Sequence, residues 1–321
     1  MTDLTRRPAL LLVASGCLLL AMLALRALEA QWPPLALWAF VLLSLTLGFG
    51  HGALDVVLLL GQFESRSKAL AVSAAYLLCV LIAGWALSWS VPWALLLLVL
   101  MSVWHFGELH SYALWARLCV GGASVMWPML VAQDAMAELA RSRLGSGFSE
   151  VWRIWQMLAN GWLILVCVSA LGWVVWRFLD RKKFSGKYYG QGFASNRHVL
   201  WAAIEILTLL CAYLVLSPLL AFALYFGVYH CVAHVVRVLR AVWAHHAMVL
   251  ARYAAAFIVS ALATVVLLGL LWWYLPNAQL LGFDHALAAP SQLLQWLVVS
   301  LAAVTLPHLI LVGYSARWLG R

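Results

Sequence analysis

Five of the chain's ten histidines, His51, His105, His230, His234 and His308, fall inside long apolar stretches rather than between them. An ionisable ring in hydrocarbon is costly, so such residues usually serve an ion, a proton path, a metal or a ligand. His230 and His234 stand four apart, which on a helix projects both from one face about 6 Å apart along the axis, within reach of a single ion. Asp55 follows His51 by four residues and Glu108 follows His105 by three, each on its histidine's helical face. A ligating imidazole commonly gives its second N–H to a carboxylate, so both acids are candidates to orient the histidines beside them. A single intramembrane histidine is as readily an interhelical hydrogen bond as a ligand. The case for a metal therefore rests on several histidines meeting at one depth.

An all-imidazole donor set suits Fe, Zn, Cu or Ni, whereas Mg or Ca would call for carboxylate and carbonyl oxygens. Three or four neutral histidines with open positions could hold Fe(II) for dioxygen chemistry; zinc, or a haem held by two histidines, is equally compatible with the donors. A non-enzyme alternative is a transporter in which the histidines, Asp55, Glu108 and Glu205 form a proton relay, and metal content separates the two. Glu205 has no local partner in the sequence. A two-iron desaturase would need more histidine boxes than the one HxxxH found here, and a zinc intramembrane protease would need an HExxH that the chain lacks.

The elements that must position these residues follow from composition. Of 321 residues, 66% are hydrophobic and 10% charged, against roughly 45–50% and 25% in soluble domains. The expected fold is all-α, a polytopic transmembrane bundle of about ten helices forming one membrane-embedded domain over residues 1–321. Apolar runs of spanning length lie near 8–28, 35–62, 69–88, 92–112, 113–133, 158–178, 199–216, 218–239, 252–275 and 291–314. The first follows Arg6 and Arg7 but lacks a small-x-small cleavage site and is about 20 residues long, so it reads as a helix rather than a signal peptide. The stretches 134–157 and 179–198 read as hydrophilic connectors. Many of the 19 tryptophans sit near run ends, where an amphipathic indole suits the headgroup layer. Six cysteines lie singly in apolar stretches, which indicates neither disulfides nor a zinc knuckle.

The net charge of +9 resides in short gaps between apolar runs, a distribution that points to anionic membrane lipid and not to nucleic acid. With the N-terminus cytoplasmic, 16 of the 20 Lys and Arg residues fall on the inside and only Arg26, Arg141, Arg143 and Arg153 outside. That asymmetry fixes orientation and supports the ten-helix count together. Both termini are expected in the cytoplasm of a multi-pass protein of the cell's inner (plasma) membrane. Reporters active only in the cytoplasm are therefore expected to work at either end, and a C-terminal reporter active only outside would remove one helix from the count. In this topology the five histidines lie on the second, fourth, eighth and tenth runs, which all cross in the same direction. Their distances from the cytoplasmic ends come to roughly 7 to 17 Å at 1.5 Å per residue. Four helices thus bring imidazoles into one slab, as a metal centre in a bundle requires.

These residues sit in recognisable surroundings: Gly48-Phe-Gly-His51-Gly-Ala-Leu-Asp55, Trp104-His105-Phe-Gly-Glu108, Tyr225-Phe-Gly-Val-Tyr-His230-Cys-Val-Ala-His234 with Arg237, and Leu306-Pro307-His308. In that order, over about residues 40–314, they resemble the Brp/Blh family of membrane β-carotene 15,15'-dioxygenases. The resemblance implies cleavage of the central double bond of β-carotene, or a related carotenoid, by O2 to give two molecules of retinal. It also implies one non-haem Fe(II) held by His51, His105, His230 and His234, with His308 lining the site. Val56 and Cys231 depart from the family pattern, which has a further polar residue or histidine and a serine there, and they leave the ligands intact. A lipid-dissolved polyene calls for a pocket open between helices, and Trp104, Phe106, Tyr225, Phe226 and Tyr229 are the aromatics near the motifs.

Overall fold

The computed structural model describes residues 8–50, 52, 65–107, 114–144, 148–180, 189–236 and 290–319. The expected span 252–275, and with it His51, Asp55, Val56, Glu108 and Arg237, lies outside the described residues. Among the described residues the structure is helical, with no strand. The elements are α1 (Pro8–Gln31), α2 (Leu35–Leu43, running into a π turn at Ser44–Gly48), α3 (Arg66–Ser88), α4 (Val91–Gly107), α5 (Leu114–Val131), α6 (Gln133–Leu144), α7 (Phe148–Asp180), α8 (Tyr189–Val215), α9 (Pro218–Ala223, running into a π segment at Leu224–Cys231) and α10 (Pro290–Leu319).

Among the described residues, five apolar stretches are long enough to cross a bilayer: Leu70–Ser88, Leu114–Val131, Phe148–Val175, Pro218–Val236 and Leu294–Leu311. At α1 and α2 the chain bends by 117° over a short break that holds Pro33 and Pro34. The 24 residues of α1 reach roughly 36 Å, enough to cross a hydrocarbon core unaided. Val91–Gly107 and Trp201–Val215 are shorter apolar helices. A bundle of about ten helices accommodates this set.

The outward faces identify the solvent. Leu77, Leu78, Leu81 and Ile82 on α3, Ile164, Val168 and Leu171 on α7, and Ile310 on α10 are exposed, Leu81 at 69% and Ile310 at 71%. Contiguous apolar surface of this extent does not survive in water and suits lipid. Both expected connectors differ from the sequence expectation, and in 179–198 the helix α8 already begins at Tyr189. Gln133–Leu144 forms α6 and α7 begins at Phe148, so most of the supposed connector 134–157 is helical. Polarity had marked it as a loop, yet α6 packs on α10 and α7. A helix with one face on protein needs no apolar run.

Lipid tails are as apolar as leucine, so helices in a membrane associate through close packing and interhelical hydrogen bonds rather than by escaping water. Helix α5 shows both. On the α4 side, a Cβ on Gly121 would run into the carbonyl oxygen of Val103, and one on Gly107 into that of Arg117. Backbone meets backbone there. On the other side a Cβ on Gly122 would strike the Trp162 indole, whose Nε1 donates to the carbonyls of Leu118 and Cys119, each at 3.1 Å. Pro128 lies inside α5 and has no N–H for the carbonyl of Ser124, four residues back. The Tyr213 hydroxyl of α8 donates to that carbonyl instead, and Trp155 of α7 donates to the next one, of Val125, at 3.2 Å. A proline that would otherwise strand backbone oxygens in hydrocarbon is thus tied to two neighbouring helices.

At the start of α9, Ser217 caps the helix by accepting from the Leu220 N–H at 3.4 Å. Its own N–H donates to Glu29 at the end of α1 at 3.2 Å, and Arg26 donates to the same carboxylate oxygen. The buried Glu29 is therefore a strut between α1 and the helix that carries His230 and His234.

Candidate metal centre

Three histidines from three helices converge. His105 stands in the last turn of α4, His234 in the turn after the π segment that continues α9, and His308 in α10 directly after Pro307. One ring nitrogen from each lies within 4.8 Å of the others, a spacing that a small movement of the rings would close around one ion. His230 joins them: its ring centroid is 4.7 Å from that of His105, which is itself 4.8 Å from His308 and 5.7 Å from His234. His105 is the hub of the four. All are buried, with 4% of His105 exposed, 0% of His230, 6% of His234 and 2% of His308. The cluster is a buried set of imidazole donors able to hold a metal ion, and the donors fit a first-row transition metal better than Mg or Ca.

Local backbone features set this geometry. The two π segments, Ser44–Gly48 and Leu224–Cys231, pack against each other through glycines. A Cβ on Gly48 would come 2.8 Å from the Phe226 ring, and one on Gly227 would come 2.6 Å from Leu43. Each π segment offsets the side chains that follow it relative to an α-helix, and π turns of this kind are often found at functional sites. The offset bears on the His230 and His234 pair. Their rings lie 6.2 Å apart, and the tight trio takes His234 together with His308, while His230 turns toward His105 and packs on Phe106 at 4.4 Å. His308, expected from the sequence to line the site, thus offers a nitrogen to its centre. The sequence signal for it was its depth, which matched that of the other histidines.

The aromatic residues near the motifs divide into two groups. Phe106, Tyr225 and Phe226 are buried around His230, with Phe106 and Tyr225 edge to face at 5.4 Å, whereas Trp104 and Tyr229 are 46% and 44% exposed on the outer surface. Phe222, which the sequence reading did not single out, stacks on Phe226 at 5.8 Å and reaches Phe106 at 6.4 Å. Glu205 also gains a neighbour, since its carboxyl interacts with the Tyr225 hydroxyl.

A family described as β-carotene 15,15'-dioxygenase matches residues 42–315 of the chain. The chain belongs to this family. A β-carotene 15,15'-dioxygenase from an uncultured marine bacterium (66A03) is 24% identical over 289 residues, covering 87% of this chain and 94% of that protein. No solved structure matches. As a β-carotene 15,15'-dioxygenase family member the chain is an oxygenase of carotenoid cleavage. All five intramembrane histidines fall within the family match, as do both π segments and the whole of α4 and α5. The part of the chain shared with the β-carotene 15,15'-dioxygenase family is therefore the part that builds the cluster.

Proposed function

We propose that this protein cleaves β-carotene, or a closely related carotenoid, at its central double bond with O2 to yield two molecules of retinal, using one non-haem Fe(II) held by the buried histidines. The observation that carries the reading is the convergence of His105, His234 and His308 within 4.8 Å in a membrane bundle of the matching family. A bound ferrous ion supplies the binding and activation of dioxygen. His105 and His234 belong both to this trio and to the ligand set that the sequence resemblance implies. His308 closes the trio, and His230 and His51 are the further imidazoles of the site. Supporting the last, Gly52 beside His51 sits so close to α10 that a Cβ on it would stand 3.2 Å from Val304, one turn before His308. Asp55 and Glu108 are proposed to orient the imidazoles of His51 and His105.

The other residues bind and exclude. A carotenoid dissolves in lipid, so it enters sideways from the membrane of the cell, and the apolar walls keep water from the reacting alkene. Holding that alkene in place does much of the work, since positioning alone can lower a barrier by several kcal/mol. No general acid or base is required.

Expressed in cells that accumulate β-carotene, the protein is expected to bleach the pigment and to produce two retinals per carotene, and to do neither without O2. Chelation of the purified enzyme is expected to stop turnover, Fe(II) to restore it and Zn(II) not. A Soret band would replace the ferrous site with a haem, apocarotenals of unequal length would overturn central cleavage, and iron binding without carotenoid turnover would overturn the substrate. Metal content separates the candidate ligands: His308→Ala is expected to lose bound iron, and full iron occupancy in that variant would return His308 to the edge of the site.

A further inference from the structure

An apolar pocket of about 100 Å³ lies among the helices of the bundle, the scale of a cavity that takes a single small ring rather than a whole ligand. Its wall is formed by α2 and by α4 through α10, with residues that include Leu98, Ser102, Phe148, Trp155, Phe222 and Val298. The wall is almost wholly apolar. Two polar groups that reach it are turned into the protein: the Ser124 hydroxyl donates to the Gly121 carbonyl at 3.0 Å, and the Tyr213 hydroxyl donates to the Ser124 carbonyl. A cavity of that character stays dry and takes apolar ligands.

Its position relative to the histidines is fixed by three helices independently. On α4 the lining runs from Leu95 to Ser102, before His105; on α9 it includes Pro218, Leu219 and Phe222, before His230 and His234; on α10 it includes Leu294 and Val298, before His308. Every helix that carries a described histidine of the cluster puts the cavity on the same, N-terminal side. At 1.5 Å per residue the offset along α4 runs from roughly 5 Å at Ser102 to roughly 15 Å at Leu95, and on α10 Val298 is likewise roughly 15 Å from His308. Aromatic rings join the two places. Phe222 lines the cavity and lies 6.4 Å from Phe106, which packs on His230 at 4.4 Å. Flat aromatic faces suit the face of a conjugated chain.

We propose that this cavity seats one terminal ring of the carotenoid, and that its depth, measured from the histidines, sets where the chain is cut. The inference rests on the carotenoid-cleaving reading above. A ring held at the far end lays half of the polyene along Phe222 and Phe106 and brings the central double bond to His105. A single stop suffices, because the two halves of β-carotene are identical. Phe148 and Val298 then act as specificity residues far from the metal.

The test compares wild-type enzyme with Val298→Phe and Leu98→Phe, which fill the cavity from different helices, and with Phe148→Ala, which deepens it. The readouts are bound iron, KM for β-carotene and the chain length of the aldehydes formed. Both filled variants are expected to keep wild-type iron while KM rises by about tenfold or more, the scale on which pockets discriminate a misfit of a methylene or two. Phe148→Ala is expected to release aldehydes of unequal length beside retinal. Wild-type KM and retinal alone from all three variants would overturn the assignment. Loss of iron from both filled variants would also overturn it, because the cavity wall would then belong to the packing of the ligands. A wild-type enzyme that turned over no carotenoid would instead remove the reading on which the assignment rests.

Discussion

Replacing His105 by Ala is expected to abolish metal binding and carotenoid turnover together, the largest loss at any single position among the described residues. The reason is its place in the cluster. Its ring lies 4.7 Å from His230, 4.8 Å from His308 and 5.7 Å from His234, so it is the imidazole closest to the other three. Removal takes away a donor and leaves a void among rings that lose their nearest common neighbour, and buried sites collapse only partly around such voids. The fall in iron affinity is expected to exceed the roughly 10- to 100-fold that follows loss of a group merely supporting a ligand. His285→Ala, between the apolar runs 252–275 and 291–314, is the matched control and is expected to bind iron normally. Iron content by elemental analysis and aldehyde yield on the same samples decide the matter. Stoichiometric iron in His105→Ala would exclude it as a ligand.

The convergence of these rings was legible in the sequence because depth is a one-dimensional property. In a bundle of parallel crossings, residue number counted from a helix end gives height, and His105, His230, His234 and His308 shared a height before any packing was known. Direction around each helix was harder to read. The HxxxH pair was read from the α-helical period of 3.6 residues per turn; the π segment over Leu224–Cys231 changes that period at His230, and the two rings lie 6.2 Å apart. Its signal was present only indirectly, in Gly48 and Gly227, small residues where two ligand-bearing segments press together. The cavity could not have been read at all. It is bounded by eight helices spread along the sequence, and no local pattern encodes what eight surfaces fail to fill. The helical character of 134–144 and 148–157 was missed for another reason, since hydropathy recognises helices in lipid and is blind to a polar one lying against protein.

Gly121→Val is expected to cost the protein its metal although residue 121 touches no histidine. A Cβ at this position would meet the carbonyl oxygen of Val103 and stand 2.8 Å from the backbone nitrogen of Gly107. Those are backbone atoms of α4, unable to rotate aside as a side chain would, and they flank His105 two residues before and two after. The only relief is to push α4 away from α5, and α4 carries the hub of the cluster. A valine, with its branched and stiff side chain, demands a larger separation than alanine would. The destabilisation is expected to exceed the roughly 1 to 3 kcal/mol of ordinary overpacking, because no alternative rotamer is open to the groups that clash. Gly161→Ala and Gly172→Ala on α7 supply the contrast, since a Cβ at either meets nothing within 4 Å; both are expected to be neutral or to gain up to about 1 kcal/mol from better helix propensity. Thermal unfolding in detergent and iron content of the three variants test the argument side by side. Wild-type melting and full iron occupancy in Gly121→Val would show that the contact between α4 and α5 can open without disturbing the histidines, and would break the proposed link between helix packing and the metal centre.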